Sequence, residues 1–515
     1  MRLFVGFFLF ATLAGPLPAQ QGVSYDLPIR EHVLPNGVRL LVLERPGHPR
    51  VAAKIFTDMG GLNEIPGELG AAHFLEHLMF KGTRTLGTTN WEAEAPLQAV
   101  LATTEAALIE ELNRSRNALQ QRGVFHDYAH AESTPRADSM RAELAALDSA
   151  IAQYRDNGAM MRWYQAYGGT GLTATTEQEY MKFDINLPSP RVELFFRIEA
   201  DRMRNSVFRE FDEERMILVE QRLGDLNRPT TRYYEQMNAA VGVVHPVFWP
   251  EGYATDFAQY TRTYERELYE TYFVPNNTTI VLVGGVPFDP MVQMARHYFG
   301  GMQRAPEPTR VRAVEPVPEA ERRVVFRSGD LAPRVEARFG IPGVGHPDRP
   351  LFDVLLGVAD RMLQQGFAES GIVATVNANT RVVHTTRFGV PSSLNFEVVL
   401  NGSDQLAQAE AVLLGVLGRL RTEEVDQELL DLVKKHLRAA WHRLSSDAGR
   451  LAFEIGHFQT MDSWQTLQPY LEAREASTLQ DLMRIAGKYF VAENRTMGVV
   501  VSPEAEAGTT SGGSR

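Results

Sequence analysis

Cysteine is missing from all 515 residues. That excludes disulfides, thiolate nucleophiles, Cys-ligated metal and an acylated lipoprotein cysteine, so any bound metal must rest on His and carboxylate side chains. Basic residues are in deficit, 52 Lys and Arg against 64 Asp and Glu, for a formal charge of −12. An excess of that sign argues against nucleic acid as a partner and against an anionic membrane surface. Long apolar runs are also lacking beyond the N-terminus, so no membrane span is expected in the mature chain. The one early run, residues 3–14, follows Arg2 and is broken by Gly15-Pro16. It reads as a secretory signal of about residues 1–19 or 1–20, which directs the protein to the periplasm or outside the cell.

What the chain does hold is centred on Ala71-Ala72-His73-Phe74-Leu75-Glu76-His77-Leu78-Met79-Phe80-Lys81-Gly82-Thr83. Leu69, Ala72, Leu75, Leu78 and Met79 recur at helical spacing, and Gly82 stands where a C-terminal cap is expected. One turn is 3.6 residues, so His73 and His77 share a face, with Glu76 beside it. Two imidazoles one turn apart can hold one Zn²⁺, and His-x-x-Glu-His is a catalytic zinc signature. On spacing alone, two surface histidines beside an unrelated Glu remain the alternative.

Taken whole, the stretch resembles the active-site helix of the inverted zincins, the insulinase/pitrilysin metallopeptidase family. The resemblance extends over most of the chain after residue 28, most strongly to about residue 300. The run Phe211-Asp212-Glu213-Glu214-Arg215-Met216-Ile217-Leu218-Val219-Glu220 resembles the family's second motif. That resemblance implies one Zn²⁺ per chain on His73, His77 and Glu220, with Glu76 as general base and Glu213 orienting a ligand histidine. Without it, an exposed acidic helix face is the alternative reading. Thr173-Ala174-Thr175-Thr176 occupies the place of the family strand that pairs with extended peptide, and Thr173 stands where relatives usually have Asn. Active relatives hold the substrate carbonyl with an Arg and a Tyr from a C-terminal domain. The matching strand here reads Gly371-Ile372-Val373-Ala374. The resemblance therefore implies a processing-peptidase-like, zinc-bearing subunit that forms a homo- or heterodimer with a homologous chain supplying that pair.

The remaining elements follow from periodicity and turn chemistry. Residues 32–43 form a hairpin signal around Asn36-Gly37, and residues 51–59 a strand. Leu97, Leu101, Leu108, Leu112 and Leu119, then Met140, Leu144, Leu147, Ile151 and Tyr154, make two heptad-like seams. Residues 91–164 thus read as an inserted antiparallel helical hairpin. Its break spans residues 123–137 and carries Pro135, His126 and His130, two histidines that read as solvated loop side chains or a second metal pair. Helices are expected over residues 191–205 and 208–223, and His245 is expected to be structural. Tyr272-Phe273-Val274, Asn277 and Thr279 return in register as Tyr489-Phe490-Val491, Asn494 and Thr496, which indicates a duplicated unit.

The expected fold is α+β: two homologous antiparallel-sheet-plus-helices domains, residues 25–305 and 323–502, joined by a linker at 306–322. The family resemblance makes them half of a clamshell, with a disordered tail at 503–515. The expected function is a secreted zinc metalloendopeptidase acting on peptides or short unfolded segments. A catalytically weak binding or assembly subunit is the alternative.

Overall fold

The computed structural model describes residues 25–124, 134–242, 244–257, 260–310, 313–377, 392–423 and 425–502. The expected signal, the His126 and His130 turn and the C-terminal tail lie outside the described residues. Leu34 to Val38 reverses the chain between β1 (Ile29–Val33) and β2 (Arg39–Glu44), where the Asn-Gly signal places a turn. Gly37 has φ +103°, and a Cβ on it would meet the Asn276 backbone at 2.7 Å. Asn36 Nδ2 donates to Phe299 O at 2.9 Å and Met302 O at 3.0 Å, tying the turn to the end of a later helix.

β3 (Arg50–Thr57), β4 (Thr170–Thr176), β5 (Met181–Pro188) and β6 (Thr278–Gly284) complete a six-stranded sheet of order β1-β2-β6-β3-β5-β4. The second sheet is built from β7 (Arg322–Arg327), β8 (Arg334–Ile341), β9 (Ala374–Asn377), β10 (Ser392–Leu400) and β11 (Arg495–Val501), in the order β7-β11-β8-β10-β9. From β2 onward the two orders are the same. Neither sheet is wholly antiparallel. The last strand of each half returns parallel to an early one, β6 to β2 and β11 to β7, which the long helical connections before them permit. The sequence echo has one physical role in both sheets. Asn277 Nδ2 donates to Tyr272 O and Asp58 O (2.9 and 3.2 Å), and Asn494 Nδ2 donates to Tyr489 O and Gly340 O (both 2.8 Å). Each Asn closes a helix end and holds the neighbouring strand.

Helix α1 (Ala71–Leu78) lies on the first sheet. The inserted hairpin follows as α2 (Trp91–Gln121) and α3 (Pro135–Ala152), packed side by side. Pro135 opens α3 rather than lying in the break, because a proline at the first helical position forfeits no hydrogen bond. The Thr134 side chain caps the Ala137 N–H. A buried fork joins the hairpin base to the domain: Arg209 donates to both oxygens of Glu94 at 2.7 and 3.0 Å, and to Thr83 O at 3.0 Å. Beyond the hairpin come α4 (Glu193–Asn205), α5 (Phe211–Leu226), α6 (Pro229–Val241) and α7 (Arg262–Tyr272).

The halves exchange covering helices, which no sequence pattern announces. α8 (Ala448–Met461) belongs to the second half, yet its Leu451, Ala452, Ile455 and Phe458 bury against Leu41, Ala52, Phe56 and Val283 of the first sheet. A Cβ on Gly456 would stand 2.1 Å from the Phe56 ring. In return α6 covers the second sheet, where Tyr233 OH donates to Glu336 at 2.8 Å and packs on Phe326. Fully burying a large apolar side chain stabilises by about 1.5–3 kcal/mol, so both sheets depend on chain from the other half. Between them, residues 303–310 and 313–318 have no regular secondary structure. No described helix is long and apolar enough to cross a membrane.

Candidate active site

Helix α1 buries Ala71, Ala72, Phe74, Leu75 and Leu78 and leaves His73, Glu76 and His77 half-exposed on the opposite side. That division follows from the 3.6-residue period. The Phe74 ring stands edge-on to Phe211 of α5 at 4.8 Å and stacks on Tyr260 at 5.3 Å, which sets the rotation of α1 about its axis. Gly70, at φ +93°, turns the chain into the helix. The buried Glu64 carboxyl accepts from Gly70 N and Ala72 N, both at 2.8 Å, capping two otherwise open donors. Burial pushes the Glu64 pKa up to about 8 despite these two bonds. The helix ends at Leu78. Gly82 is not its cap but a later turn, at φ +96°, where a Cβ would meet Leu86 O at 2.3 Å.

The His73 and His77 rings lie 4.9 Å apart between centroids and 79° to one another. Burial and the neighbouring His77 push the His73 imidazole below its ordinary pKa, against the pull of Glu76, Glu251 and Asp225. A neutral imidazole is the ligand form. His77 Nδ1 is 2.8 Å from Glu214 Oε2, an arrangement that leaves Nε2 as the donor toward an ion. Burial alone would raise the Glu214 carboxyl, but hydrogen bonds with His77 and Lys81 hold it below its usual range. Lys81 also reaches Glu210 at 2.8 Å. Glu210 precedes α5 with φ +54°, the one non-glycine residue with positive φ among those described.

Glu213 is not the orienting carboxylate. It is exposed and pairs with Arg155 of the hairpin at 3.3 Å, and Glu214 takes the place on His77. The reason is helical phase: successive side chains project about 100° apart, and Phe211, packed on Phe74, turns Glu214 rather than Glu213 toward α1. Glu220 is exposed on α5, six residues after Glu214 and therefore about 120° around the helix from it. Two imidazoles with an outer carboxylate on one of them fit a shared divalent ion. No third His, Asp or Glu joins them: among the described residues no group of three such side chains is close enough to hold a metal ion.

Glu76 accepts a hydrogen bond from Thr176 Oγ1 at 2.6 Å. Thr176 is the last residue of β4, which ends the first sheet, so its outer backbone edge has no strand partner among the described residues. Thr173 is exposed, while Ala174 and Thr175 are half-buried. Thr175 Oγ1 accepts from Lys182 at 3.2 Å. A cavity of about 260 Å³ joins the two elements: His73 and Glu76 on one wall, Ala174, Thr175 and Thr176 on another, with Trp249 and Glu251 opposite. The loop carrying Trp249 is held by His245, which is buried and accepts the Val247 N–H on Nδ1 at 3.2 Å. Sequence reasoning missed Glu214 and Thr176. The first sits one residue from the expected carboxylate, and the second ends the expected strand.

Residues 39–97 match the family model described as insulinase, peptidase family M16, and residues 260–437 the model described as peptidase M16 inactive domain. The chain is 21% identical to the zinc protease PqqE of Helicobacter pylori over 497 residues, 94% of each protein. It is 30% identical over 141 residues to the beta subunit of the mitochondrial-processing peptidase of Saccharomyces cerevisiae, 26% of this chain and 28% of that one. The crystal structure of a protease from Helicobacter pylori shares the fold with a TM-score of 0.70 at 18% identity, over 92% of this chain and 99% of that one. The periplasmic protease PqqL of Escherichia coli does so with a TM-score of 0.68 at 15% identity, over 94% of this chain and 49% of PqqL. Models for two domains of one family match in order, and the fold is shared over more than nine-tenths of the chain, which together support an insulinase/pitrilysin peptidase of family M16.

Proposed function

We propose that the protein is an exported zinc-dependent endopeptidase that hydrolyses peptides or short unfolded segments, with one Zn²⁺ per chain carried by His73 and His77. The observation that carries this reading is the meeting of His73, Glu76 and the open edge of β4 around one cavity, with the His77 ring 4.9 Å from that of His73. When bound, zinc acts as a Lewis acid toward a carbonyl and acidifies water. Glu76 takes the proton of the attacking water and passes it to the leaving amine. Thr176 keeps that carboxylate turned toward the cavity, and Glu214 holds the His77 ring in one tautomer. Thr173, Ala174 and Thr175 offer backbone groups that pair with an extended substrate, which selects unfolded segments over folded ones.

Periplasmic location is supported by the N-terminal sequence and by the likeness to PqqL. A homologous second subunit, supplying an Arg and a Tyr for the substrate carbonyl, is supported by PqqL having about twice the length this chain covers. That no third acidic donor joins the histidines among the described residues favours a second reading, a weakly catalytic binding or assembly subunit. Metal analysis with peptide hydrolysis, for the wild type and Glu76→Gln, separates the two. Hydrolysis that needs metal and falls with Glu76→Gln supports the peptidase. Metal-bound protein whose hydrolysis ignores that substitution removes Glu76 from its role.

A further inference from the structure

We infer that the α5 position facing the two imidazoles is Gln221, so that the chain offers an ion there two imidazoles and an amide oxygen in place of a third, charged ligand. The inference rests on the metal-site reading above and concerns which α5 side chain completes it. α1 and α5 run past each other in opposite directions. His77, late in α1, meets Glu214, early in α5. Arg222, late in α5, donates from Nε to Gly252 O at 2.8 Å, and a Cβ on Gly252 would meet Leu69 O, just before α1, at 2.5 Å. Glu214 marks the stripe of α5 that looks at the imidazole pair, and the end of α5 lies beside the start of α1. Eleven residues at 100° each bring Asp225 back to within about 20° of Glu214. The side chains between them on that stripe are Leu218 and Gln221, four and seven residues after Glu214.

Leu218 is buried in the core with Phe74 and has no donor atom. Gln221 is exposed and lies within about 20° of the Glu214 direction. Glu220 lies about 120° off the stripe.

The consequence is electrostatic. Two neutral imidazoles and an amide leave a divalent ion its full double charge, whereas a carboxylate at residue 221 would cancel part of it. Zinc prefers imidazole, thiolate and carboxylate donors to an amide oxygen, so the site binds zinc loosely and is completed by a carboxylate when residue 221 is acidic.

The test is the zinc dissociation constant of the full chain, read by competition with a chromophoric chelator, for the wild type, Gln221→Glu, Gln221→His and Glu220→Gln. The visible absorption of the Co²⁺-loaded proteins gives a second readout, independent of turnover. Gln221 is exposed, so the substitutions do not disturb the core. The expected result is tightening on the order of tenfold or more for Gln221→Glu and Gln221→His, with a changed cobalt spectrum, and no change for Glu220→Gln. Loosening by Glu220→Gln, or unchanged affinity in both Gln221 variants, overturns the inference and leaves the peptidase reading standing. Failure of every variant to bind zinc or cobalt overturns the metal-site reading itself.

Discussion

Glu214 and His77 are joined by a 2.8 Å hydrogen bond, and Lys81 holds the second oxygen of the same carboxylate. The bond engages Nδ1 and leaves Nε2 as the nitrogen that can donate to an ion. Glu214→Gln keeps the size but loses the charge that favours this tautomer. Zinc affinity is expected to fall roughly 10- to 100-fold, while Glu213→Gln, on the hairpin side of α5, leaves it unchanged. Chelator competition on both variants checks the assignment. Equal losses would return the role to the pair rather than to Glu214.

Thr176 and Glu76 make a second such pair. Glu76→Gln should retain metal and lose about 10²- to 10⁴-fold in kcat, the usual range for a general base. Thr176→Val removes only the donor that turns the carboxylate. Its kcat is expected to fall by about tenfold with little change in KM. A rise in KM alone would assign Thr176 to substrate binding.

Glu64 makes the metal-bearing helix sensitive to pH. Its folded pKa, about 8, lies above the 4.5 of an ordinary glutamate. Between those values the folded protein keeps a proton that the unfolded chain releases. Stability from this group is therefore complete below pH 4.5, declines as pH rises through the window and levels off above about 8, with a total change of up to a few kcal/mol. Urea unfolding at pH 5.5, 7 and 8.5 should show a shallower decline for Glu64→Gln than for the wild type. Parallel profiles would show that Glu64 does not carry it.

Gly456 and Gly487 are both helical and should respond in opposite directions to alanine. At Gly456 the added methyl runs into the buried Phe56 ring, and at Gly487 it meets nothing within 4 Å. Gly456→Ala is expected to destabilise by about 1–3 kcal/mol or more. Gly487→Ala should stabilise by roughly 0.5–1 kcal/mol, because alanine loses less backbone freedom in a helix. Denaturant midpoints of the two variants decide it.

The parts of this structure that were legible in the sequence are those set by short-range chemistry. Asn36-Gly37 announces its hairpin, the spacing of His73, Glu76 and His77 places three side chains on one side of one helix, and the repeated Asn277 and Asn494 reveal the duplication. What the sequence hides needs a second element to define it. Whether Glu213 or Glu214 meets His77 depends on how α5 is rotated against α1, which the contact between Phe74 and Phe211 fixes. That β4 ends with a hydroxyl on Glu76 depends on how the sheet edge passes α1. α6 and α8 are amphipathic toward sheets in the other half of the chain, and no local period says which sheet a helix will cover.

The exchange of α6 and α8 makes the duplicated chain an interlocked whole rather than two beads on a string. A protease nick in the stretch between β6 and β7 would leave fragments that remain clasped, each holding the lid of the other. Neither piece made alone would have a finished hydrophobic interior. A displacement of either sheet must therefore carry the other with it.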